Sequence, residues 1–116
     1  MAEKKDLKES KLFTPYKLNE HITLRNRTIR SAAFESMGKD FGPTQKLKDY
    51  HVSVAKGGVG MTTLAYASIN RSGVSFNSQL WLRDEIIEPL KDITDAIHAE
   101  GAAAGIQIGH CGNMTH

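Results

Sequence analysis

The chain has 116 residues, and its 15 lysines and arginines against 13 aspartates and glutamates leave a formal net charge of +2. That length suits one small domain, and so mild and scattered a charge, with 7% aromatic residues, gives neither the basic patch nor the stacking platform of a nucleic-acid binder. No apolar run approaches the ~20 residues of a membrane span and the single cysteine, Cys111, allows no internal disulfide, so the reading is a cytoplasmic protein without nucleic-acid or membrane partners.

Met1 to Lys11 is rich in lysine and glutamate, lacks the apolar core of a signal peptide, and reads as a flexible tail; residues 12–116 read as one domain. Tyr16 to Leu24 reads as a β-hairpin, with Asn19-Glu20 as its turn and Ile22-Thr23-Leu24 alternating as a strand does. Thr28 to Phe34 is the first buried strand. The small residues Ser31, Ala32 and Ala33 at its end leave two readings open: close approach of backbone to a flat ligand, or packing beneath a neighbouring helix. After a loop from Glu35 to Gly42, Thr44 is placed to cap a helix whose apolar face is Leu47, Tyr50, His51, Val54 and Ala55. On that face His51 reads as a packed structural residue rather than a ligand, and Gly57 stands where a helix ends in the left-handed region.

The run from Val59 to Ala67 is mostly apolar, as in a strand buried on both faces of a parallel sheet. The polar loop Asn70 to Ser78 that follows is long for its type, and such loops at strand ends often cover sites. Leu80, Trp81 and Leu82 lead toward a second helix, with Asp84 as its cap and Glu85 suited to its dipole. Pro89 falls in its tolerant first turns, Ile86, Leu90, Ile93 and Ile97 form its buried stripe, and Gly101 is its stop. The third strand, Ala102 to Ile108, contains Gln107, read as a buried amide that needs partners for its donors and its carbonyl. Strand, helix, strand, helix, strand is the order of βαβ units in an α/β fold, where function sits at the C-terminal edge of the sheet.

Two glycine and metal readings are weaker. Gly57-Gly58-Val59-Gly60 precedes its strand and matches no phosphate-binding glycine pattern, so it reads as a helix stop and tight turn. His110, Cys111 and His116 are three potential ligands in one loop, yet a structural zinc site usually takes four at established spacings, so the loop reads as the rim of a pocket without a metal.

Leu12-Phe-Thr-Pro15, Leu24-Arg-Asn-Arg27, Ser31-Ala-Ala-Phe-Glu-Ser-Met37, Gly57-Gly-Val-Gly60 and Gln107-Ile-Gly-His-Cys-Gly112 occur in this order. Together they resemble the N-terminal part of the old yellow enzyme family, the FMN-dependent NAD(P)H:flavin oxidoreductases, in the branch with 2,4-dienoyl-CoA reductases and related ene-reductases. The resemblance implies the N-terminal portion of a TIM (β/α)8 barrel: about three βα units after a β-hairpin that caps the barrel bottom, truncated after the third strand. It also implies an oxidoreductase that takes hydride from NAD(P)H onto FMN and passes it to an α,β-unsaturated carbonyl or enoyl substrate. In these terms Ser31, Ala32, Ala33 and Phe34 lie along the flavin edge, Ala65 and Tyr66 approach the ring, Gln107 bonds its pyrimidine part, and Ser36 faces substrate. Tyr66 stands where a small residue is common, Cys111 where alanine is, and Asn113 where arginine often is. The substrate-carbonyl pair, proton donor and phosphate loops lie later in such proteins. The alternative reading is an inactive truncated fragment that folds only by pairing with itself or with the rest of a barrel.

Overall fold

The computed structural model describes residues 10–115. The expected flexible tail therefore lies, as far as Glu9, outside the described residues. At its end Ser10 accepts the amide of Leu12 and starts a 3₁₀ turn, Lys11–Phe13. The hairpin follows as β1 (Tyr16–Lys17) and β2 (Thr23–Leu24), antiparallel, with Tyr16 opposite Leu24. Its turn is held by the Asn19 side chain, whose Oδ1 accepts the amides of His21 and Ile22, both at 2.8 Å. That is the reason asparagine is favoured there: its side chain supplies a turn the backbone would otherwise have to close alone.

The main sheet is parallel. Strands β3 (Ile29–Arg30), β4 (Met61–Ser68), β5 (Leu80–Trp81) and β6 (Ala103–Gly109) build it around β4. β3 pairs with the first residues of β4 and β5 with its last, while β6 runs along β4 from Met61↔Ala103 to Ser68↔Gly109. The helices are α1 (Gln45–Lys56) and α2 (Ile87–Ala99). They make two complete strand–helix units and a third strand. Leu47 and Ala55 of α1, Ile93 and Ile97 of α2, and Leu64 and Ala67 of β4 form one buried cluster. Burying a side chain such as Ile93 or Ile97 stabilises by roughly 1.5–3 kcal/mol each, so this layer between helices and sheet carries the fold.

Several boundaries differ from expectation, each for a local reason. The first strand stops at Arg30 because Ser31–Phe34 leave the ladder; what draws them away belongs to the site below. Gly57 is right-handed, φ −69°, and the left-handed residue is Gly58 at φ +104°, one position on, where the missing Cβ removes the strain. Asp84 makes no side-chain cap. It opens a 3₁₀ turn, Asp84–Ile86, and α2 begins at Ile87 with no side-chain cap bond. Leu80–Trp81 is a strand rather than an approach to the helix. Thr44 does cap α1, accepting the Leu47 amide at 3.1 Å while its hydroxyl donates to the Met37 carbonyl.

The N-terminal end of the sheet is closed by Arg25. Its guanidinium donates to the carbonyls of Val59 (3.1 Å), Glu100 (2.7 Å) and Ala55 (2.6 Å), which ties the C-terminal ends of both helices to the hairpin. A cation at helix C-termini also meets the negative end of each dipole. Gly60 is required here: a Cβ would stand 2.6 Å from the Asn26 carbonyl oxygen.

Candidate functional site

The opposite end of the sheet is open. Ser31, Ala33 and Phe34 are exposed and Ala32 is half-buried, so the small residues at the end of β3 do not pack beneath a helix. Tyr66, half-buried on β4, lies with its ring 5.0 Å from that of Phe34, which in turn stacks at 5.6 Å on Phe76 of the following loop. Tyr66 also lines a concavity of about 300 Å³ with Gln107, Ile108, Gly109, His110 and Cys111. Gln107 was expected to be buried. It is exposed, because this end of β6 has β4 on one side and no described element over it. Its amide donor and acceptor are therefore presented to whatever occupies the concavity.

Ser36 sits apart from this group, on the loop beyond Phe34. It adopts a left-handed conformation, φ +55°, and its hydroxyl shares a 2.7 Å hydrogen bond with that of Ser78. Asp40 and Phe41 in the same loop are also left-handed, at φ +51° and +62°. Such backbone persists only where neighbours over-determine it. Here the loop after β4 does so: Asn77 bonds the Asp40 amide through its side chain and the Phe41 amide through its carbonyl, both at 3.0 Å. Ala65, named with Tyr66 from the resemblance, lies in a bulge of β4, where the register against β6 shifts between Leu64 and Ala67. Bulges next to functional sites re-aim side chains and free backbone groups.

Below this surface Glu35 and Arg30, which the sequence reading did not single out, meet His51. The Glu35 side chain is 2% exposed and its Oε1 takes hydrogen bonds from Arg30 Nη1 and His51 Nε2, both at 2.8 Å. Its Oε2 accepts the Ala65 amide at 3.2 Å. Burial acts to raise the Glu35 pKa, but it is outweighed: the His51 hydrogen bond, backbone amides and the His51 charge hold the carboxyl below its ordinary value of 4.5. His51 is fully buried, as a structural histidine should be, and its other nitrogen meets Thr62 Oγ1 at 2.7 Å. The signal available in the sequence was His51 itself, since a histidine on an apolar helix face needs polar partners.

Cys111 Sγ lies 3.8 Å from the Tyr66 hydroxyl and 3.7 Å from Gln79 Oε1. Burial, then the Cys111 hydrogen bond, pushes the Tyr66 phenol up. His110 Nε2 is 3.3 Å from the Ser72 hydroxyl. His116 lies outside the described residues, and among these no group of three or more His, Cys, Asp or Glu side chains is gathered as a metal site. No helix among them is long and apolar enough to cross a membrane. A second hollow, about 280 Å³ and lined by Tyr16, Leu18, Leu24, Arg27 and Ile29, lies at the other end of the sheet, where the hairpin meets β3.

The model of the NADH:flavin oxidoreductase / NADH oxidase family matches residues 11–116. The chain belongs to this family, that of the old yellow enzymes. It is 39% identical to the 4,4'-dithiodibutanoate disulfide reductase of Rhodococcus erythropolis over 101 residues, 87% of this chain and 25% of that protein. It is 37% identical to an NADPH dehydrogenase of Listeria welshimeri over 107 residues, 89% of this chain and 31% of the relative. In fold it is similar to an old yellow enzyme from a Pichia species, with a TM-score of 0.85 at 20% identity, across 95% of this chain and 29% of that one. The chain thus spans a quarter to a third of the length of these proteins. Old yellow enzymes are TIM barrels that use FMN with NAD(P)H as electron donor, and the described residues are part of such a barrel without closing one.

The open edge fits the flat part of FMN. β3 and β6 flank β4, and two strand spacings put their ends about 10 Å apart, the scale of a three-ring isoalloxazine. Small residues at one end allow close contact, and a free carboxamide at the other can pair with adjoining carbonyl and imide groups.

Proposed function

We propose that this chain supplies the ring-binding part of an FMN-dependent NAD(P)H oxidoreductase acting on an α,β-unsaturated carbonyl or enoyl compound. The observation that carries the reading is the gathering of Ser31–Phe34, Tyr66 and Gln107 at the C-terminal edge of three adjacent parallel strands, where barrel enzymes place their chemistry. When bound, FMN supplies the hydride chemistry; the protein supplies orientation and electrostatics. Ser31, Ala32 and Ala33 would let the ring approach the backbone, and Phe34 and Tyr66 would bound it with aromatic surface. Gln107 would fix its rotation in the plane through a donor and an acceptor on one side chain. Ser36, one residue beyond Glu35 on a loop pinned to Ser78, would face substrate. The half-exposed Cys111 and the Tyr66 phenol, 3.8 Å apart, lie beside that edge.

A second observation favours a partner for this activity. Ile29, Ile69 and Ile108 are each at least half exposed on or beside the strands of the sheet. Apolar side chains on strands whose face is open favour association. On our reading they pair with further barrel strands or with a second copy, in the cytoplasm, and the small-molecule site is complete only in that state.

The test is a visible absorption spectrum of the purified chain mixed with FMN and passed through gel filtration. Flavin bands that elute with the protein support the reading, and the elution volume reports association. A folded chain that emerges colourless contradicts it.

A further inference from the structure

The strongest unexplained feature of the molecule is the buried charge beneath the open edge. Arg30 and Glu35 bracket Ser31–Phe34, and their ion pair at 2.8 Å closes the segment into a loop. Both ends of that clasp are fastened to β4. Arg30 Nη1 donates to the Thr63 carbonyl at 2.8 Å, and Glu35 Oε2 accepts from Ala65 at 3.2 Å. Arg30 also reaches the Ala33 carbonyl at 3.3 Å, inside the loop it closes, and its guanidinium lies over the Tyr50 ring. Ala65 has no ladder partner on β6, because the β4 bulge falls there. The Ala65 amide is taken by the Glu35 carboxylate.

We infer that Glu35 is a positioning residue: it holds Ser31–Phe34 off the sheet ladder and fixes the Ala65–Tyr66 bulge, so that both segments stand open to one planar ligand. The inference rests on the reading of that edge as the flavin-ring site. It explains three observations together. β3 ends at Arg30 although the sequence continues with strand-compatible residues, β4 is bulged opposite that end, and the rings of Phe34 and Tyr66 meet at 5.0 Å. One carboxylate joins the two segments, so they move together or not at all. Burying a charge is costly unless it is paired and hydrogen-bonded, and here every oxygen has a partner.

The test compares the full chain with Glu35→Gln, Glu35→Ala and, as a variant weakened far from this edge, Arg25→Ala. Amide hydrogen exchange without FMN judges the clasp alone; fluorescence titration with FMN and the band shape of bound flavin judge its consequence. In Glu35→Gln we expect exchange in the peptide covering residues 63–68, whose Ala65 amide donates to Glu35, to rise about tenfold with α2 and the far end of β6 unchanged, FMN affinity to fall about tenfold, and the flavin bands to shift. Arg25→Ala should speed exchange throughout while the folded fraction binds FMN as the parent does. If Glu35→Ala does not fold, Glu35→Gln decides. The inference is overturned if Glu35→Gln leaves exchange at 63–68 unchanged, or if it loosens the whole domain evenly and weakens FMN only by the unfolded fraction. A parent chain that binds no FMN removes the flavin reading, while the exchange pattern still upholds or overturns the clasp.

Discussion

The two ends of the parallel sheet are built on opposite plans. At the N-terminal end polar groups are used up within the fold: three carbonyls converge on Arg25, Asn26 Nδ2 donates to Gly58, and Gly60 lets backbone close over backbone. At the C-terminal end the polar bonds lie one layer down, around Glu35, while Ser31, Phe34 and Gln107 are left exposed. Stability and recognition are thus separated along the strands. The residues that close one end spend their polar groups on one another, and the residues that could bind at the other contribute little burial. That separation makes the functional reading breakable by substitution.

The largest effect should come from Arg25→Ala, which strands one carbonyl at each of two helix ends and a third before β4, and should cost roughly 3 kcal/mol of stability; urea denaturation of the chain measures it. Gln107→Leu should do the reverse, weakening FMN about tenfold, or about 1.4 kcal/mol, with the urea midpoint almost unmoved because the side chain is exposed. Thr44→Ala removes an N-cap and the hydroxyl that holds the Met37 carbonyl, and should cost about 1 kcal/mol, seen as faster exchange at the start of α1 and in the loop before it. Acid tests the clasp. The Glu35 pKa lies below its unfolded value, so its stabilisation is present above about pH 4.5 and is lost as pH falls through the lower folded value. Denaturation midpoints taken downward from pH 6 should fall across that window in the parent chain, and less in Glu35→Gln. Asp92→Ala, which breaks only the exposed Lys48–Asp92 pair, should change stability by less than about 0.5 kcal/mol and sharpens the contrast as a site belonging to neither end.

Much of the framework was legible in the sequence. Asn19 marked the hairpin turn, Thr44 marked the start of α1, and the spacing of Ile86, Leu90, Ile93 and Ile97 gave the face of α2, because each signal acts within a few residues. The candidate site was less legible. Glu35 and Arg30 carry no local sign of burial; their partners come from α1 and β4, 16 and 30 residues from Glu35 in the chain. Leu80–Trp81 is too short for a strand period to show. Gln107 read as buried because its neighbours are apolar, but the alternation of a strand does not say which faces other protein will cover. The placing of Ser31–Phe34, Tyr66 and Gln107 on one edge came from the family resemblance, and the parallel register then brought their strands together.

The most direct test is hydrogen exchange of the full chain with and without FMN, read peptide by peptide at both ends of the sheet. The expected result is slowed exchange in peptides covering 31–34, 65–68 and 107–111, with 57–60 and 101–103 unchanged. Protection confined to the Arg25 end, or spread evenly over the chain, would contradict the assignment of the C-terminal edge as the flavin-ring site.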